Sequence, residues 1–311
     1  MTAAAPDIAV VGSINLDIVV RTARLPRPGE TVHGDSVTLT LGGKGANQAV
    51  AARRLGANVL FVGRTGTDGF GGIVRDHLTR YAVSLADIGT SATASTGMAT
   101  IGIDSTGQNA ITVVAGANAE VSADDVAAVA ARLPRARVLL LQCETPAAAS
   151  LAAARLVRDA GGVVILDPAP VPADGIAAFA GLAGVVTPNE TEAAALTGIA
   201  VTSRDSAGAA ALCLRAMGFE RAIVKCGGAG LVLAEGDSTA FIAPFPVVAV
   251  DTVAAGDCFN AGLAYALARG DRFADAARFA AATGALAVTR RGAAEAAPTL
   301  QDVDKLLSAT L

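Results

Sequence analysis

The residue best placed to do chemistry in this 311-residue chain is an aspartate at the start of a predicted helix. In 251-DTVAAGDCFNAGLAYALARG-270, small residues come first and apolar residues then follow at helical spacing. The first turn of a helix exposes N–H groups and a partial positive charge, so it can bind a phosphate. Asp257 puts a carboxylate in that turn. It either stabilises the helix alone, by about 0.3–1 kcal/mol, or acts as a base on a group that the phosphate meets.

Asn15 and Asp17 form a second polar pair, in 12-GSINLDIVV-20, directly after the first predicted strand. Because they are two residues apart, their side chains share one face of an extended chain. An amide and a carboxylate side by side suit the vicinal hydroxyl groups of a polyol. The alternative is a polar turn in which Asp17 caps a neighbouring element.

Three glycines precede a predicted helix in 42-GGKGANQAVAARRLG-56. They would let the backbone approach a ligand closely, although their spacing is neither that of a P-loop nor G-x-G-x-x-G. Lys44 and Asn47 supply hydrogen-bond donors in the first turn. A lysine is electrostatically unfavourable at a helix start, and this favours a binding role over an ordinary glycine-rich turn.

Two further motifs follow later predicted strands. In 187-TPNETEAAALTG-198, Asn189 and Glu192 have the spacing of one helix face, but a capping box that starts at Thr187 or at Asn189 explains the same letters. The stretch 225-KCGGAG-230 is predicted to be a strand end and a glycine-rich turn. Such a turn either contacts a nucleotide or only joins two strands of a hairpin.

Short apolar runs alternate with helical patterns along the whole chain. Strands are predicted at 8–12, 58–63, 137–142, 163–167, 184–188 and 221–227, and helices at segments such as 147–160 and 207–218. This alternation predicts an α/β fold with a mostly parallel sheet covered by helices on both faces.

Two regions break that alternation. Segment 36–43 alternates apolar residues with threonine, and 97–114 reads as two strands around a turn at 105–108. We expect these regions to form a small sheet outside the main body. Such a sheet could cover a site at the carboxyl ends of the parallel strands, where ligands of open α/β folds bind.

The bulk composition excludes several classes of protein. The mean hydropathy of +0.51 comes largely from alanine, and no run of about 18 apolar residues is free of charge, so a membrane protein is not predicted. A signal peptide is not predicted either, because Asp7 comes before any long apolar segment. The net charge of −4 gives no basic surplus for nucleic acid. The four cysteines are widely scattered, so neither a zinc site nor a disulfide framework is predicted: Cys143, Cys213, Cys226 and Cys258. A reducing cytoplasm is therefore the expected location.

Taken together and in this order, the motifs resemble the ribokinase-like (PfkB) family of carbohydrate kinases. The similarity runs from about residue 7 to about residue 298, and it is strongest to the members that act on D-ribose. It implies one domain over residues 1–311, an α/β three-layer sandwich with a β-lid formed by about 14–42 and 96–116. The strings that carry it are GSINLD, RPGET, GGKGANQAVAA, PNETEA, LTG, VDTVAAGD and AVTRRGA.

The resemblance implies transfer of a phosphoryl group from ATP to the 5-hydroxyl of D-ribose. Asp257 would be the general base, and the N–H groups around Ala254, Ala255 and Gly256 would form an anion hole. The implied sugar pocket, in which Asp257 faces the reacting hydroxyl, also contains Asn15, Asp17, Gly43, Lys44, Gly45, Asn47 and Glu144.

The same resemblance implies a site for ATP with Mg²⁺ or another divalent cation. Its residues would be Asn189, Glu192, Lys225, Gly227, Gly228, Gly230 and Gly256, with the first two near the phosphates and the water shell of Mg²⁺. The chain departs from the family pattern at two positions. Lys225 replaces a threonine, and Ala281 replaces a histidine or asparagine near the adenine.

A monovalent-cation site with K⁺ as activator is also implied. Its residues, mostly through backbone atoms, would be Asp251, Val253, Ala287, Arg290 and Gly292. Ala296 stands where a serine ligand is usual, so one side-chain oxygen is missing. Cys258 replaces a threonine after the predicted base, and we assign it no role.

A homodimer formed through the lid is a further expectation. The strand face with Val37, Leu39 and Leu41 would stay exposed in a monomer, and pairing two lids would bury it.

Several alternatives stay open on the sequence. A kinase of the same family that acts on 2-deoxyribose, fructose or a nucleoside fits the same motifs, and so does a non-catalytic sugar-binding protein, although the intact Asp257 disfavours it. A nicotinamide dehydrogenase is excluded because no G-x-G-x-x-G follows the first strand. ATP and a small sugar are the expected partners; neither nucleic acid nor a membrane is expected.

Overall fold

The structure, a computed structural model, describes residues 7–310. Thirteen strands in this range form two sheets, a large one and a small one. The large sheet contains β1 Asp7–Val11, β4 Asn58–Gly66, β5 Ile88–Ser91, β8 Val138–Gln142, β9 Val163–Asp167, β10 Val185–Val186, β11 Arg221–Lys225, β12 Leu231–Glu235 and β13 Ser238–Ile242. The small sheet contains β2 Asn15–Thr22, β3 Gly34–Gly42, β6 Gly97–Ile103 and β7 Asn109–Val114.

The described helices cover both faces of the large sheet, as the strand–helix alternation predicted. They are α1 Lys44–Arg54, α2 Gly69–Arg80, α3 Ala123–Ala127, α4 Ala147–Asp159, α5 Glu190–Thr197, α6 Arg204–Ala216, α7 Ala255–Arg269, α8 Phe273–Ala287 and α9 Leu300–Ser308. The two faces of β1 show the layering, because successive side chains of a strand point to opposite sides. Ile8 and Val10 pack in a core with α1, α2, α7, α8 and α9. Ala9 and Val11 pack in a second core with α3, α4, α5 and α6.

The order of the large sheet is β13-β12-β11-β10-β9-β8-β1-β4-β5. Neighbouring strands are parallel except for the β11–β12 and β12–β13 pairs, so the predicted mostly parallel sheet is confirmed. The chain leaves β1 for β4 on one side and later returns to β8 on the other side. This reversal opens a crevice beyond the carboxyl end of β1, the usual ligand position in such folds.

The small sheet has the order β3-β2-β6-β7 and confirms both off-pattern regions as strands. We call it the lid. The turn between β6 and β7 closes at Asp104, whose Oδ1 accepts hydrogen bonds from the N–H groups of Thr106 and Gln108 at 2.9 and 3.0 Å. Side-chain–backbone bonds of this type fix tight turns.

One expectation about the lid was wrong. Val37 and Leu39 are exposed, but Leu41 is fully buried because the base of β3 packs on the body of the protein. The sequence analysis also missed Ile111 and Val113 on β7, which are 55% and 57% exposed. The strand register puts these two on the face of Asp17, opposite the face of Leu39. The lid therefore has exposed apolar residues on both faces.

Among the helices of residues 7–310, none combines the length and the apolar character needed to cross a bilayer.

Candidate active site

Asp257 lies in the first turn of α7, beyond the carboxyl ends of the parallel strands, and is 4% exposed. Two amides from α1 hold its carboxylate. Asn47 Nδ2 donates to Oδ2 at 3.0 Å, and Gln48 Nε2 donates to Oδ1 at 3.1 Å. An aspartate that served only the helix dipole would need neither burial nor these partners, so the geometry favours a functional carboxylate.

The turn before α7 has an unusual backbone. Ala254, the residue that caps the helix, has φ 56°, in the left-handed region, which costs a non-glycine residue about 1–2 kcal/mol. Of the three N–H groups predicted for the anion hole, that of Ala255 donates to the carbonyl oxygen of Thr252 at 3.3 Å. A Cβ added to Gly256 would lie 3.4 Å from Nζ of Lys225. The strained turn thus presents backbone N–H groups beside an ammonium group.

Asn15 and Asp17 are in β2, so the extended arrangement is correct and the polar-turn alternative is wrong. The Oδ1 of Asn15 accepts a hydrogen bond from Asn118 Nδ2 at 2.7 Å, and the Nδ2 of Asn15 has no hydrogen-bond partner among residues 7–310. Asp17 lies directly over Gly42, where a Cβ would fall 2.1 Å from Oδ1 of the aspartate. Within residues 7–310, nothing donates a hydrogen bond to the carboxylate of Asp17.

The glycine-rich turn before α1 is packed against the backbone that follows β1. A Cβ at Gly43, which has φ 86°, would lie 2.8 Å from the backbone nitrogen of Asn15, and one at Gly45 would lie 2.6 Å from the carbonyl carbon of Gly12. Substitution at either position would push the turn away. The absence of side chains at Gly43 and Gly45 therefore allows the start of α1 to lie against the backbone after β1, at the crevice.

Glu144 closes the pocket on the β8 side. Its Oε2 accepts hydrogen bonds from the hydroxyl of Ser13 and from the backbone N–H of Lys44, the latter at 3.1 Å. The other carboxylate oxygen stays available to a hydroxyl group. The Oδ1 of Asn47 is buried and has no partner in the described part of the chain, so it is a second acceptor ready for a ligand.

Asp167, at the carboxyl end of β9, joins the two lysines of the site. Its carboxylate lies 3.9 Å from Nζ of Lys44 and 3.3 Å from Nζ of Lys225, and it accepts a weak hydrogen bond from Gln48 at 3.4 Å. The aspartate is almost completely buried. Asp167 therefore brings together Lys44, which is predicted for the sugar pocket, and Lys225, which is predicted for the ATP site.

The carboxylates of the pocket raise one another's pKa values. Burial, and then the nearby charges of Glu144, Glu295 and Asp257, raise the pKa of Asp17 to about 7. Burial also raises the pKa of Asp257, although the Lys44 ammonium and the two amides oppose the shift. Burial alone would lower the pKa of Lys44, but Asp257 and the other carboxylates around it raise that pKa above its ordinary value. Lys44 is therefore charged at neutral pH.

Asn189 and Glu192 form a reciprocal capping box at the start of α5. Glu192 N–H donates to Asn189 Oδ1 at 2.9 Å, and Asn189 N–H donates to Glu192 Oε2 at 2.8 Å. The alternative box that starts at Thr187 is wrong, because the Thr187 hydroxyl donates to Asn260 at 2.8 Å instead. Burial raises the pKa of Glu192, and the nearby Asp167 adds to this shift. Glu192 therefore lies near the charged groups of Asp167, Lys44 and Lys225.

The glycines of 225–230 form the predicted turn between β11 and β12. Gly227 and Gly228 lie in a 3₁₀ turn, Gly227–Ala229, with open space at both Cα atoms. Gly230 has φ 94°, and a Cβ there would lie 2.4 Å from the carbonyl oxygen of Ile242. The backbone at Gly227 and Gly228 is therefore open to a ligand.

Asp251 ties together the two loops of the predicted cation site. Its Oδ1 accepts from Val253 N–H and its Oδ2 from Gly292 N–H, both at 3.1 Å. Ala287 ends α8, and its carbonyl oxygen accepts a hydrogen bond from the N–H of Arg290 at 3.1 Å. The Arg290 guanidinium is directed elsewhere, to Asp302 at 3.0 Å.

Glu295, which the sequence analysis did not single out, lies next to this loop. Its Oε1 accepts from the Thr40 hydroxyl of the lid at 2.7 Å. Its Oε2 is buried without a hydrogen-bond partner among the described residues, and a Cβ at Gly292 would lie 3.1 Å from it. A carboxylate oxygen of Glu295 therefore lies beside Gly292, in the loop where the cation site is predicted.

The family model described as pfkB family carbohydrate kinase matches residues 5–300. The chain belongs to this family. The kinase is 37% identical to a ribokinase from Haemophilus influenzae over 302 residues, which are 96% of this chain and 98% of that protein. It is 31% identical to a deoxyribokinase from Salmonella typhi, over 97% of this chain and 99% of that protein.

A solved structure agrees with this assignment. The kinase superposes on Arabidopsis thaliana ribokinase complexed with ribose and ATP with a TM-score of 0.89 and 34% identity, over 98% of this chain and 99% of that one. The predicted fold, a three-layer α/β sandwich with a lid, is thus confirmed by the coordinates and by this likeness.

Several polar residues of the kinase's site were absent from the sequence analysis: Ser13, Gln48, Asn118, Gln142, Asp167 and Glu295. Two of them carried a usable signal. Gln48 directly follows Asn47 in a helix start, and Asp167 ends a predicted parallel strand. Glu295 carried none, because only the fold brings its loop to the lid.

Proposed function

We propose that the kinase transfers the γ-phosphoryl group of ATP to the 5-hydroxyl of D-ribose and yields ADP and D-ribose 5-phosphate. The observation that carries this proposal is the environment of Asp257. A buried carboxylate, held by Asn47 and Gln48, shares the first turn of α7 with the N–H groups that would receive the phosphoryl oxygens. The relatives named ribokinase support ribose as the sugar.

In the proposed reaction Asp257 accepts the proton of the 5-hydroxyl while that oxygen attacks the γ-phosphorus. Phosphoryl transfer depends mainly on positioning and charge stabilisation. The two amide donors fix both carboxylate oxygens before the sugar arrives. Backbone N–H groups of the turn 254–257 and the α7 macrodipole stabilise the charge that builds on the phosphoryl oxygens.

The sugar is oriented by groups that have spare hydrogen-bonding capacity. The Nδ2 of Asn15 and the carboxylate of Asp17 face the pocket from strand β2 of the lid, and the carboxylate of Glu144 faces it from the loop after β8. The backbone of Gly43 and Gly45 and the amide of Asn47 complete the proposed contact set. A ring with several adjacent hydroxyl groups satisfies these donors and acceptors at once.

ATP is proposed to lie along the 225–230 turn, with its phosphates between Asn189, Lys225 and Gly256. Within residues 7–310, no cluster of three His, Cys, Asp or Glu side chains forms a metal cage. Mg²⁺ normally keeps several waters and binds through one or two carboxylates and substrate phosphates. Burial raises the pKa of Glu192, and a divalent cation would fit such a role because it would favour the charged form of this carboxylate. Bound Mg²⁺ would neutralise charge on the ATP phosphates.

K⁺ activation is proposed for the loops 251–253 and 287–292. The buried Oε2 of Glu295, unpartnered in the described chain, fits a cation beside Gly292 and offsets the missing hydroxyl at Ala296. The proposal is tested by melting temperature and rate in KCl against tetramethylammonium chloride. Both should be higher in KCl; equal values in the two salts would remove the site.

The lid is proposed to pair with the lid of a second copy of the chain. Support comes from Val37, Leu39, Ile111 and Val113, four exposed apolar side chains on a four-stranded sheet with two open edges. Residues 1–311 would then act as one catalytic domain with lid segments at about 14–42 and 96–116. A reducing cytoplasm is the proposed location, since Cys143, Cys213, Cys226 and Cys258 are all free thiols.

An ADP-release assay over ribose, 2-deoxyribose, fructose and adenosine tests the proposed activity. We expect the highest kcat/KM with ribose. The 31% identity to a deoxyribokinase makes 2-deoxyribose the second candidate, and a higher kcat/KM with that sugar would replace the proposal. No turnover with any of the four would favour a sugar-binding protein.

A further inference from the structure

Lysine is rare in this chain, and its placement is uneven. The sequence has 24 basic Lys and Arg residues, of which only Lys44, Lys225 and Lys305 are lysines. Two of these three have their ammonium groups beside the buried carboxylate of Asp167. Arginine serves nearly every other basic position, so a compact ammonium group has a particular use at this centre.

The backbone of Lys225 is fixed by strand β11, and its side chain packs on helix α7. It is the last residue of β11, and its N–H donates to the carbonyl oxygen of Pro188 at 2.9 Å. Its Nζ lies over the ring of Phe259, 5.9 Å from the centroid, and the side chain is 16% exposed. Strand β11 and the Phe259 ring of α7 therefore direct the ammonium group into the site instead of into solvent.

The ammonium group of Lys225 has unused donors on the side where the phosphoryl group would be. An ammonium group carries three donors. Within residues 7–310, its one hydrogen bond is to Asp167 at 3.3 Å, longer than the 2.7–2.9 Å that is usual for a charged pair. The same nitrogen is 3.4 Å from where a Cβ of Gly256 would stand, at the first turn of α7. Its positive charge also lowers the pKa of Glu192, against the rise that burial causes.

We propose that Lys225 is a catalytic residue that contacts the oxygens of the phosphoryl group during its transfer, together with the N–H groups of the α7 turn. This inference rests on the proposed function. Lys225 would add to the turn a full positive charge, which is aimed at the reacting phosphorus and not at the adenine. Asp167, shared with Lys44, holds the ammonium group in place before ATP binds.

The two lysines divide the work. Lys44 is surrounded by Asp257, Asp167, Glu144 and Glu192, whose charges offset its own and keep it protonated. Each ammonium group has Asp167 as its ion-pair partner among residues 7–310, at 3.9 Å for Lys44 and 3.3 Å for Lys225, and the charge of Lys225 also acts on Glu192. Lys225, whose Nζ lies beside Gly256 in the first turn of α7, is therefore the ammonium group placed next to the incoming phosphoryl group, and its loss should reduce the rate of transfer more than the binding of sugar.

The test compares Lys225→Met with Lys305→Met, the matched control on the exposed side of α9. Loss of one donor to the transition state typically lowers kcat by about 10²–10³-fold. We expect a fall of that order in Lys225→Met, with the KM for ribose and the Kd for ADP changed less than about threefold, and no change in Lys305→Met. Lys225→Arg should recover only part of the rate, because the larger guanidinium displaces the phosphoryl group. A kcat of Lys225→Met within threefold of wild type would overturn the proposal.

A second measurement separates contact from positioning. If Lys225 acts only by holding Asp167, then replacing Lys225 in an Asp167→Asn background should have no further effect. If it touches the phosphoryl group, the affinity for ADP with aluminium fluoride and ribose, measured by calorimetry, should fall again in the double variant. The kcat of the wild type with ribose, 2-deoxyribose, fructose and adenosine tests the proposed function. The ratio of the kcat of Lys225→Met to that of the wild type, measured with whichever sugar reacts, tests the role of Lys225. The two failures are therefore distinguishable.

Discussion

The two halves of the site differ in how their charges are held. On the body, Asp257 is buried with two amide donors, and Asp167 is shared by two ammonium groups and a glutamine. On the lid, Asp17 is also buried, at 9% exposed, but receives no hydrogen bond within the described chain, and burial raises its pKa to about 7. The buried aspartates of the first half have hydrogen-bond donors before any ligand binds, while the aspartate of the second half has none within residues 7–310.

This difference matches the roles that we propose for the two halves. Charge stabilisation in phosphoryl transfer works best when donors are fixed in advance, because reorganising them would cost free energy at the transition state. Sugar recognition instead benefits from acceptors that only the correct hydroxyl groups satisfy. The Thr40–Glu295 hydrogen bond of 2.7 Å joins the lid to the body at the border between the halves.

The largest effect should come from the body half. Asp257→Asn keeps the shape of the side chain but removes the base, so we expect kcat to fall by about 10²–10⁴-fold. Ribose binding by calorimetry should stay within a few-fold of wild type, because the lid half is untouched. A near-normal kcat in this variant would show that Asp257 is not the base and that the two halves do not differ in role as proposed.

Gly42→Ala addresses the lid half. A Cβ at this position would overlap the carboxylate of Asp17 at 2.1 Å, so the aspartate must move. A displacement of about 1 Å in a binding group can cost about 10²-fold, and we expect the KM for ribose to rise by about 10–10²-fold with little change in the Kd for ADP. Gly72→Ala is the control, since its Cβ meets open space on α2. A normal KM in Gly42→Ala would show that Asp17 does not position the sugar.

The pH profile tests the raised pKa of Asp17. Below pH 7 the carboxylate of the free enzyme is increasingly protonated and loses acceptor capacity. The kcat/KM for ribose should therefore rise about tenfold per pH unit and level off above about pH 7. Asp17→Asn should abolish this inflection and lower kcat/KM at pH 8. The same inflection in the variant would assign the titration to another group.

The smallest catalytic effect should come from the exposed lid residues. Two charges on β7, in Ile111→Lys with Val113→Lys, oppose burial of that strand between two lids, so light scattering at micromolar concentration should give the mass of one chain. We expect the KM for ribose to rise only a few-fold, because neither residue is among the proposed sugar contacts. If the wild type already scatters as a monomer, the proposed dimer does not form.

Sequence patterns located the strands and helices well, because apolar alternation and helical spacing record which face of each element is buried. They failed where one pattern had two structural outcomes. Thr187 and Asn189 were equivalent candidate caps, and only the hydrogen bond of Thr187 to Asn260, 73 residues away in sequence, decides between them. Leu41 looked like its neighbours Val37 and Leu39, but the base of the lid rests on the body and buries it.

The sequence by itself determined the family, the order of the elements and the types of residue that a sugar kinase needs. Short motifs suffice for this, because each one sets a local backbone and a side chain within a few residues. Only the tertiary structure decided which charges meet. Asp167, Lys44 and Lys225 come from three distant segments, and Glu295 reaches Thr40 across 255 positions. Distances between such groups depend on how the strands and helices pack, and one linear pattern does not encode them.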